Sequence, residues 1–285
     1  MSIEVVAVLG AGTMGNGIAQ VAATTGFKVY LQDIKQEFID KGLSNIRKNL
    51  DKGVEKGKLS QEVRDKTLSN IITTTDLEEA AKTAHLIIEA VPESLELKQQ
   101  IFTKLDAVCP PETIFATNTS SLSIAEIATA VERRQLFLGM HFFNPVHIMK
   151  LLEIVRGPET SNEVVEKVVG IAKMLGKEPI IVRDSPGFAS SRLGIALGLE
   201  AMRMLEQNVA SAADIDKAME LGYNHPMGPL KLTDLVGLDV RLNIADYLHS
   251  TLGSEIFKAP QILRQKVAEG RLGKKTGEGF YKWNE

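Results

Sequence analysis

The chain has 285 residues, 44% of them hydrophobic and 24% charged, with a formal net charge of −3. This apolar content excludes a disordered chain, the lack of surplus basic charge argues against a nucleic-acid partner, and roughly 150 residues per domain gives about two domains. No apolar run approaches the roughly 20 residues that span a bilayer, and no leader pattern opens the chain. A single cysteine, Cys109, with five scattered His gives neither an internal disulfide nor metal-ligand spacing, so a cytoplasmic protein without a metal is expected.

The first half alternates strand and helix patterns. Val5–Leu9 reads as a strand, Met14–Thr25 as a helix and Lys28–Gln32 as a second strand. A charged helical stretch follows over residues 36–70, broken near Gly57–Ser60, and suggests an arm with a task of its own. Strands are expected at Ile71–Thr73, Leu86–Glu89 and Ile114–Thr117, with a helix at Leu95–Val108. Two more are expected at Leu136–Phe142 and Leu151–Val155, then a helix at Asn162–Leu175 and a strand at Pro179–Val182. Strands that alternate with helices form βαβ units around a mainly parallel sheet. After the turn cluster Asp184-Ser185-Pro186-Gly187, apolar residues recur only at helical spacing, which puts a domain boundary at about residue 185. The expected fold is therefore an α/β doubly wound sheet followed by an all-helical C-terminal domain.

Gly10-Ala11-Gly12-Thr13-Met14-Gly15 directly follows the first strand and opens a helix. Glycines there allow a tight turn, approach of a pyrophosphate to free N–H groups, and close helix–strand packing. Asp33 ends the second strand 18 residues after Gly15, close to the roughly 20 at which an acid meets the adenosine ribose. A carboxylate there repels a 2′-phosphate, so NAD is expected rather than NADP, although Lys35 stands nearby.

His141 closes one expected strand, and Glu153 interrupts the next, apolar one. An unpaired carboxylate is costly in such a place, so Glu153 needs a partner. If the segment between them turns back, that partner is His141, and the pair makes a general base whose imidazolium is stabilised. A core His and an edge Glu is the plainer reading, and His147 is a competing base in a loop. Asn118-Thr119-Ser120-Ser121 follows another strand, where open α/β sheets bind ligands, although Ser121 or Ser123 could simply cap a helix at Ile124–Ala130. Pro92 and Glu93 are expected in the first turn of the helix after the fourth strand.

The segments GAGTMG, IIEAVPE, NTSSLSI, HFFNPVHIMKLLEIV, DSPGFASSR, NHPMGPLKLTDLVGLD and GKKTGEGFYKW occur in this order. Together they resemble the L-3-hydroxyacyl-CoA dehydrogenase family over essentially the whole chain, and the bacterial 3-hydroxybutyryl-CoA group most of all. The resemblance implies a Rossmann domain for NAD over residues 1–184 and a helical domain for substrate and homodimer formation over 185–285. It implies reversible oxidation of a (3S)-3-hydroxyacyl-CoA to a 3-oxoacyl-CoA. It makes His141 the acid/base and Glu153 its orienting partner, and it puts Ser120 and Asn144 against substrate and nicotinamide. Glu93, Lys98 and Lys275 become cofactor-side residues, with Asn118 beside them. Where the family commonly has Asn before the Arg of its PGF-x-x-N-R motif, this chain has Ser191.

Ser44, Lys48 and Lys52 stand at i, i+4 and i+8, and such a cationic face suits the phosphates of an acyl-CoA, the plainer reading being an ordinary solvated helix surface. Two competing functions share the fold: a dehydrogenase of free hydroxy acids or sugar acids, and a crystallin-like structural relative.

Overall fold

The computed structural model describes residues 3–283. In chain order the first part runs β1 (Val5–Leu9), α1 (Thr13–Thr25), β2 (Lys28–Gln32), α2 (Gln36–Glu55), α3 (Gln61–Ser69), β3 (Ile71–Thr74) and α4 (Leu77–Ala81). It continues with β4 (Leu86–Glu89), α5 (Leu95–Val108), β5 (Ile114–Thr117), α6 (Ile124–Ala128), β6 (Phe137–Phe142), β7 (Leu151–Arg156), α7 (Asn162–Met174) and β8 (Glu178–Arg183). Five further helices follow: α8 (Ser190–Glu206), α9 (Ala212–Gly222), α10 (Pro229–Val236), α11 (Leu238–Leu252) and α12 (Gln261–Ala268). The chain divides after Asp184 into two compact units.

The first unit is built on one eight-stranded sheet, ordered β3-β2-β1-β4-β5-β6-β7-β8. Strands β1 to β6 pair in parallel, β6 and β7 pair antiparallel, and β7 and β8 pair in parallel. The central strands are buried apolar runs, as a sheet covered on both faces requires. Order reverses between β1 and β4, and ligands of doubly wound sheets bind at that crevice. The fold expected from the sequence is the fold observed.

Serines set many of the helix starts. Ser60, Ser94, Ser123, Ser161 and Ser211 each accept the N–H three residues on, at the heads of α3, α5, α6, α7 and α9. This corrects one expectation and decides between two alternatives in another. Pro92 and Glu93 stand before α5, not in its first turn, because Ser94 is the cap. Ser123, not Ser121, caps α6.

The segment over residues 36–70 is not a free arm. Ile39, Ile46 and Leu50 of α2 are fully buried in the core they share with Ile18, Ala19 and Ala22 of α1. The second unit has its own core, with Ile195, Leu199, Ile215, Leu230, Leu238 and Leu248 at its centre. Its C-terminal segment is anchored by the buried Asp234, which accepts from the backbone N–H of Phe280 (2.8 Å) and Tyr281 (2.9 Å) and from the Trp283 indole (2.9 Å). The motif GKKTGEGFYKW is thus in part a latch.

Candidate active site

Between β1 and α1 the chain turns through Gly10–Gly15. A Cβ on Gly15 would lie 1.7 Å from the carbonyl oxygen of Gly10, so the helix packs on the turn only as glycine. A Cβ on Gly12 would meet nothing within 4 Å, and no side chain caps α1. Its first-turn N–H groups therefore have no side-chain cap, which leaves the helix N-terminus suited to a phosphate. Asp33 stands just past β2, and its carboxylate accepts from the N–H of Ala11 at 2.7 Å and of Ile34 at 2.7 Å. The acid is thereby tied to the glycine turn. Glycines, free helix N-terminus and acid together fit an adenine dinucleotide.

His141 and Glu153 are register partners across β6 and β7. Residues directly opposite in an antiparallel pair bring their side chains together. The His141 Nδ1 to Glu153 Oε2 distance is 2.7 Å, and both residues are buried. The Phe143 ring packs on the imidazole with 4.5 Å between centroids. Asn144 is exposed in the turn just past β6. Asn118, just past β5, accepts from the Phe142 N–H at 2.9 Å and so fastens the ends of β5 and β6 side by side.

Glu93 reaches the turn after β5. One of its oxygens accepts from the Thr119 hydroxyl (2.6 Å), the Ser120 N–H (3.0 Å) and the Ser121 hydroxyl (3.3 Å). Lys98 is buried in α5, with its ammonium 2.7 Å from Glu89 and 3.4 Å from Glu93. Ser44 of α2 is half-buried, and Lys48 and Lys52 are exposed. In the second unit Ser191 lies half-buried in the first turn of α8, and Lys275 pairs with Asp239 at 2.6 Å.

A cavity of about 560 Å³ opens in the first unit. Asn49 and Gly53 of α2 line it with Lys58, His147, Lys150 and Lys177, and no acidic side chain does. Ser44, Lys48 and Lys52 are not among its lining residues. Lys177 is buried, donating to the carbonyls of Val146 and Met149, and burial holds its ammonium below the ordinary lysine range. His147 is held below the usual imidazole range by burial and by the Lys177 charge.

Residues 5–185 match the family described as 3-hydroxyacyl-CoA dehydrogenase, NAD binding domain, and residues 187–283 match its C-terminal domain. The chain belongs to the 3-hydroxyacyl-CoA dehydrogenase family. It is an oxidoreductase with NAD as cofactor. A probable 3-hydroxybutyryl-CoA dehydrogenase of Bacillus subtilis is 45% identical over 285 residues, covering 100% of this chain and 99% of that protein. The human mitochondrial hydroxyacyl-coenzyme A dehydrogenase is 44% identical over 99% of this chain and 91% of its own length. The crystal structure of (S)-3-hydroxybutyryl-CoA dehydrogenase PaaH1 from Ralstonia eutropha superposes with a TM-score of 0.96 at 39% identity, covering 100% of both chains.

Three buried polar groups, Glu89, Thr117 and Lys177, are not singled out by the sequence. Glu89 carried a usable signal, a carboxylate ending the wholly apolar run Leu86–Ile88. Thr117 and Lys177 carried none, because their importance lies in partners remote in the chain.

Proposed function

We propose that the chain interconverts a short-chain (3S)-3-hydroxyacyl-CoA, such as 3-hydroxybutyryl-CoA, and its 3-oxoacyl-CoA, with His141 as acid/base. The observation that carries this reading is the His141–Glu153 pair, 2.7 Å apart near the C-terminal end of β6 in the sheet whose β1 leads into the glycine turn. When bound, NAD supplies the hydride acceptor, and in reduction the donor. His141 takes the proton of the C3 hydroxyl in oxidation and returns it in reduction. Glu153 fixes the imidazole tautomer and stabilises the imidazolium. Ser120 and Asn144 hold the reacting oxygen and the nicotinamide. Gly10, Ala11, Gly12, Thr13, Met14 and Gly15 receive the pyrophosphate, and Asp33 the ribose. Glu93, Lys98, Asn118 and Lys275 complete the cofactor side, and Ser191 contributes to substrate binding.

An acyl-CoA brings several negative charges. Support for it comes from the cavity that Lys58, Lys150 and Lys177 line without an acid, and from the cationic face of Lys48 and Lys52 with Ser44. The single buried Cys109 fits a reducing compartment such as the cytoplasm.

A kinetic series with C4 to C16 3-oxoacyl-CoA substrates, each run with NADH and with NADPH, tests the reading. It predicts the highest kcat/KM for acetoacetyl-CoA with NADH, and little turnover of free acetoacetate. A preference for free hydroxy acids would favour the sugar-acid type of relative. No turnover at all would favour a structural protein, and an NADPH preference would overturn the role of Asp33.

A further inference from the structure

The charges behind the Ser120 turn form a chain that runs from the interior of the sheet to the site. Glu89 and Lys98 are 2.7 Å apart, with side chains 0% and 1% exposed. A buried ion pair is often no better for stability than two apolar side chains of the same volume, so packing alone does not account for it. Both Glu89 oxygens are engaged: one accepts from the Val91 N–H at 2.7 Å and from Lys98, the other from the Thr117 hydroxyl at 2.6 Å. Lys98 then has a second, longer contact of 3.4 Å with Glu93. Glu93 spends its other oxygen on Thr119, Ser120 and Ser121.

We infer that Glu89 is a positioning residue for the cofactor site, acting through Lys98 and Glu93 on the Ser120 turn. The inference rests on the reading of Glu93 and Ser120 as cofactor- and substrate-side groups. The charge count supplies the physical reason. Two carboxylates share one ammonium. With Glu89 ionised, Lys98 is satisfied from inside the sheet and draws Glu93 only weakly. Glu93 remains a surplus anion whose near oxygen serves the turn. If the Glu89 charge is removed, Glu93 becomes the sole carboxylate within ion-pair distance of Lys98 among the described residues. It is then pulled inward, and Thr119, Ser120 and Ser121 lose their shared acceptor. Glu89 and Thr117 themselves touch neither cofactor nor substrate in this scheme.

The test uses the full chain with Glu89→Gln and, separately, Thr117→Val, which leaves the ion pair but removes the hydrogen bond to Glu89 and the one that the Thr117 hydroxyl accepts from the Thr119 N–H at 3.3 Å. NADH affinity is read by fluorescence titration, free CoA affinity by calorimetry, and kcat and Tm alongside. Glu89→Gln should weaken NADH about tenfold and lower kcat by up to about 100-fold, the scale of a misplaced reacting group. Free CoA should bind as in the wild type. Thr117→Val should move the same quantities in the same direction, by less. If either folded variant has a lower Tm but wild-type NADH affinity and kcat, Glu89 only braces its strand and the inference is overturned. Should Glu89→Gln not fold, Glu89→Asp, which keeps the charge but shortens its reach to Lys98, decides on the same readouts: a folded Glu89→Asp with wild-type NADH affinity and kcat overturns the inference. A wild-type chain that binds no NADH would instead bring down the site reading itself.

Discussion

Glu153 and Glu89 posed the same problem in the sequence, a carboxylate in an apolar strand, and only one was solved there. Glu153 has its partner twelve residues upstream across an obvious turn, so a hairpin brings His141 to it. The partners of Glu89 are on a helix and on a neighbouring parallel strand, and only the sheet register reveals them. Asp33 shows a third case: spacing marked it as a ribose ligand, and the structure adds that it fastens the glycine turn. At this scale the chemistry of Cys109 is also fixed. Burial pushes its thiol up to about 12, so at pH 8 it stays protonated and therefore poorly nucleophilic. Ellman titration of the native chain at pH 8 should give almost no reaction, and one thiol per chain in denaturant. Rapid reaction of the native form would contradict the burial.

Among the elements, strands were the most legible, since each central one is a mostly apolar run bounded by turn residues, with Glu89, His141 and Glu153 standing out in them. Helix faces were less so. Spacing groups Ser44, Lys48 and Lys52 on one side of α2, but it does not say which way that side points, and Asn49 and Gly53 line the cavity instead. The short helix α4 was not legible, because Leu77–Ala81 carries Glu78 and Glu79 and shows no apolar period, whereas the equally short α6 follows a serine cap and has three buried apolar positions. The packing of α2 on the glycine turn makes a prediction. A Cβ on Gly42 would come within 2.6 Å of the Ala11 carbonyl oxygen. Gly42→Ala should therefore destabilise the chain by about 1–3 kcal/mol, as overpacking does, and should also weaken NADH by shifting the turn. A thermal melt and a fluorescence titration read both effects. Unchanged Tm and affinity would show that α2 yields freely.

For the whole molecule, the boundary at Asp184 coincides with a change of texture in the sequence, from alternating periods to helical spacing alone. What the sequence could not show is which apolar residues of the second unit stay outside its core. Leu193, Leu221 and Tyr223 are 71%, 80% and 76% exposed. Large exposed apolar side chains mark surfaces that bind something, and the expected homodimer would cover them. Sedimentation equilibrium should give twice the chain mass, and Leu221→Glu with Tyr223→Glu should give the monomer. A wild-type monomer at micromolar concentration would contradict the dimer.

In the proposed reaction His141 moves the proton and Glu153 acts through it. A double-mutant cycle on acetoacetyl-CoA reduction, with NADH affinity measured for each variant, tests this most directly. His141→Gln should lower kcat by about 10²–10⁴, the usual contribution of a positioned acid/base. Glu153→Gln should lower it as well, and the double variant should be little worse than His141→Gln alone, because the two act as a unit. NADH should bind all four forms alike. Additive losses would show Glu153 working independently of His141, and a His141→Gln enzyme with normal turnover would contradict the account and make His147 the base to test.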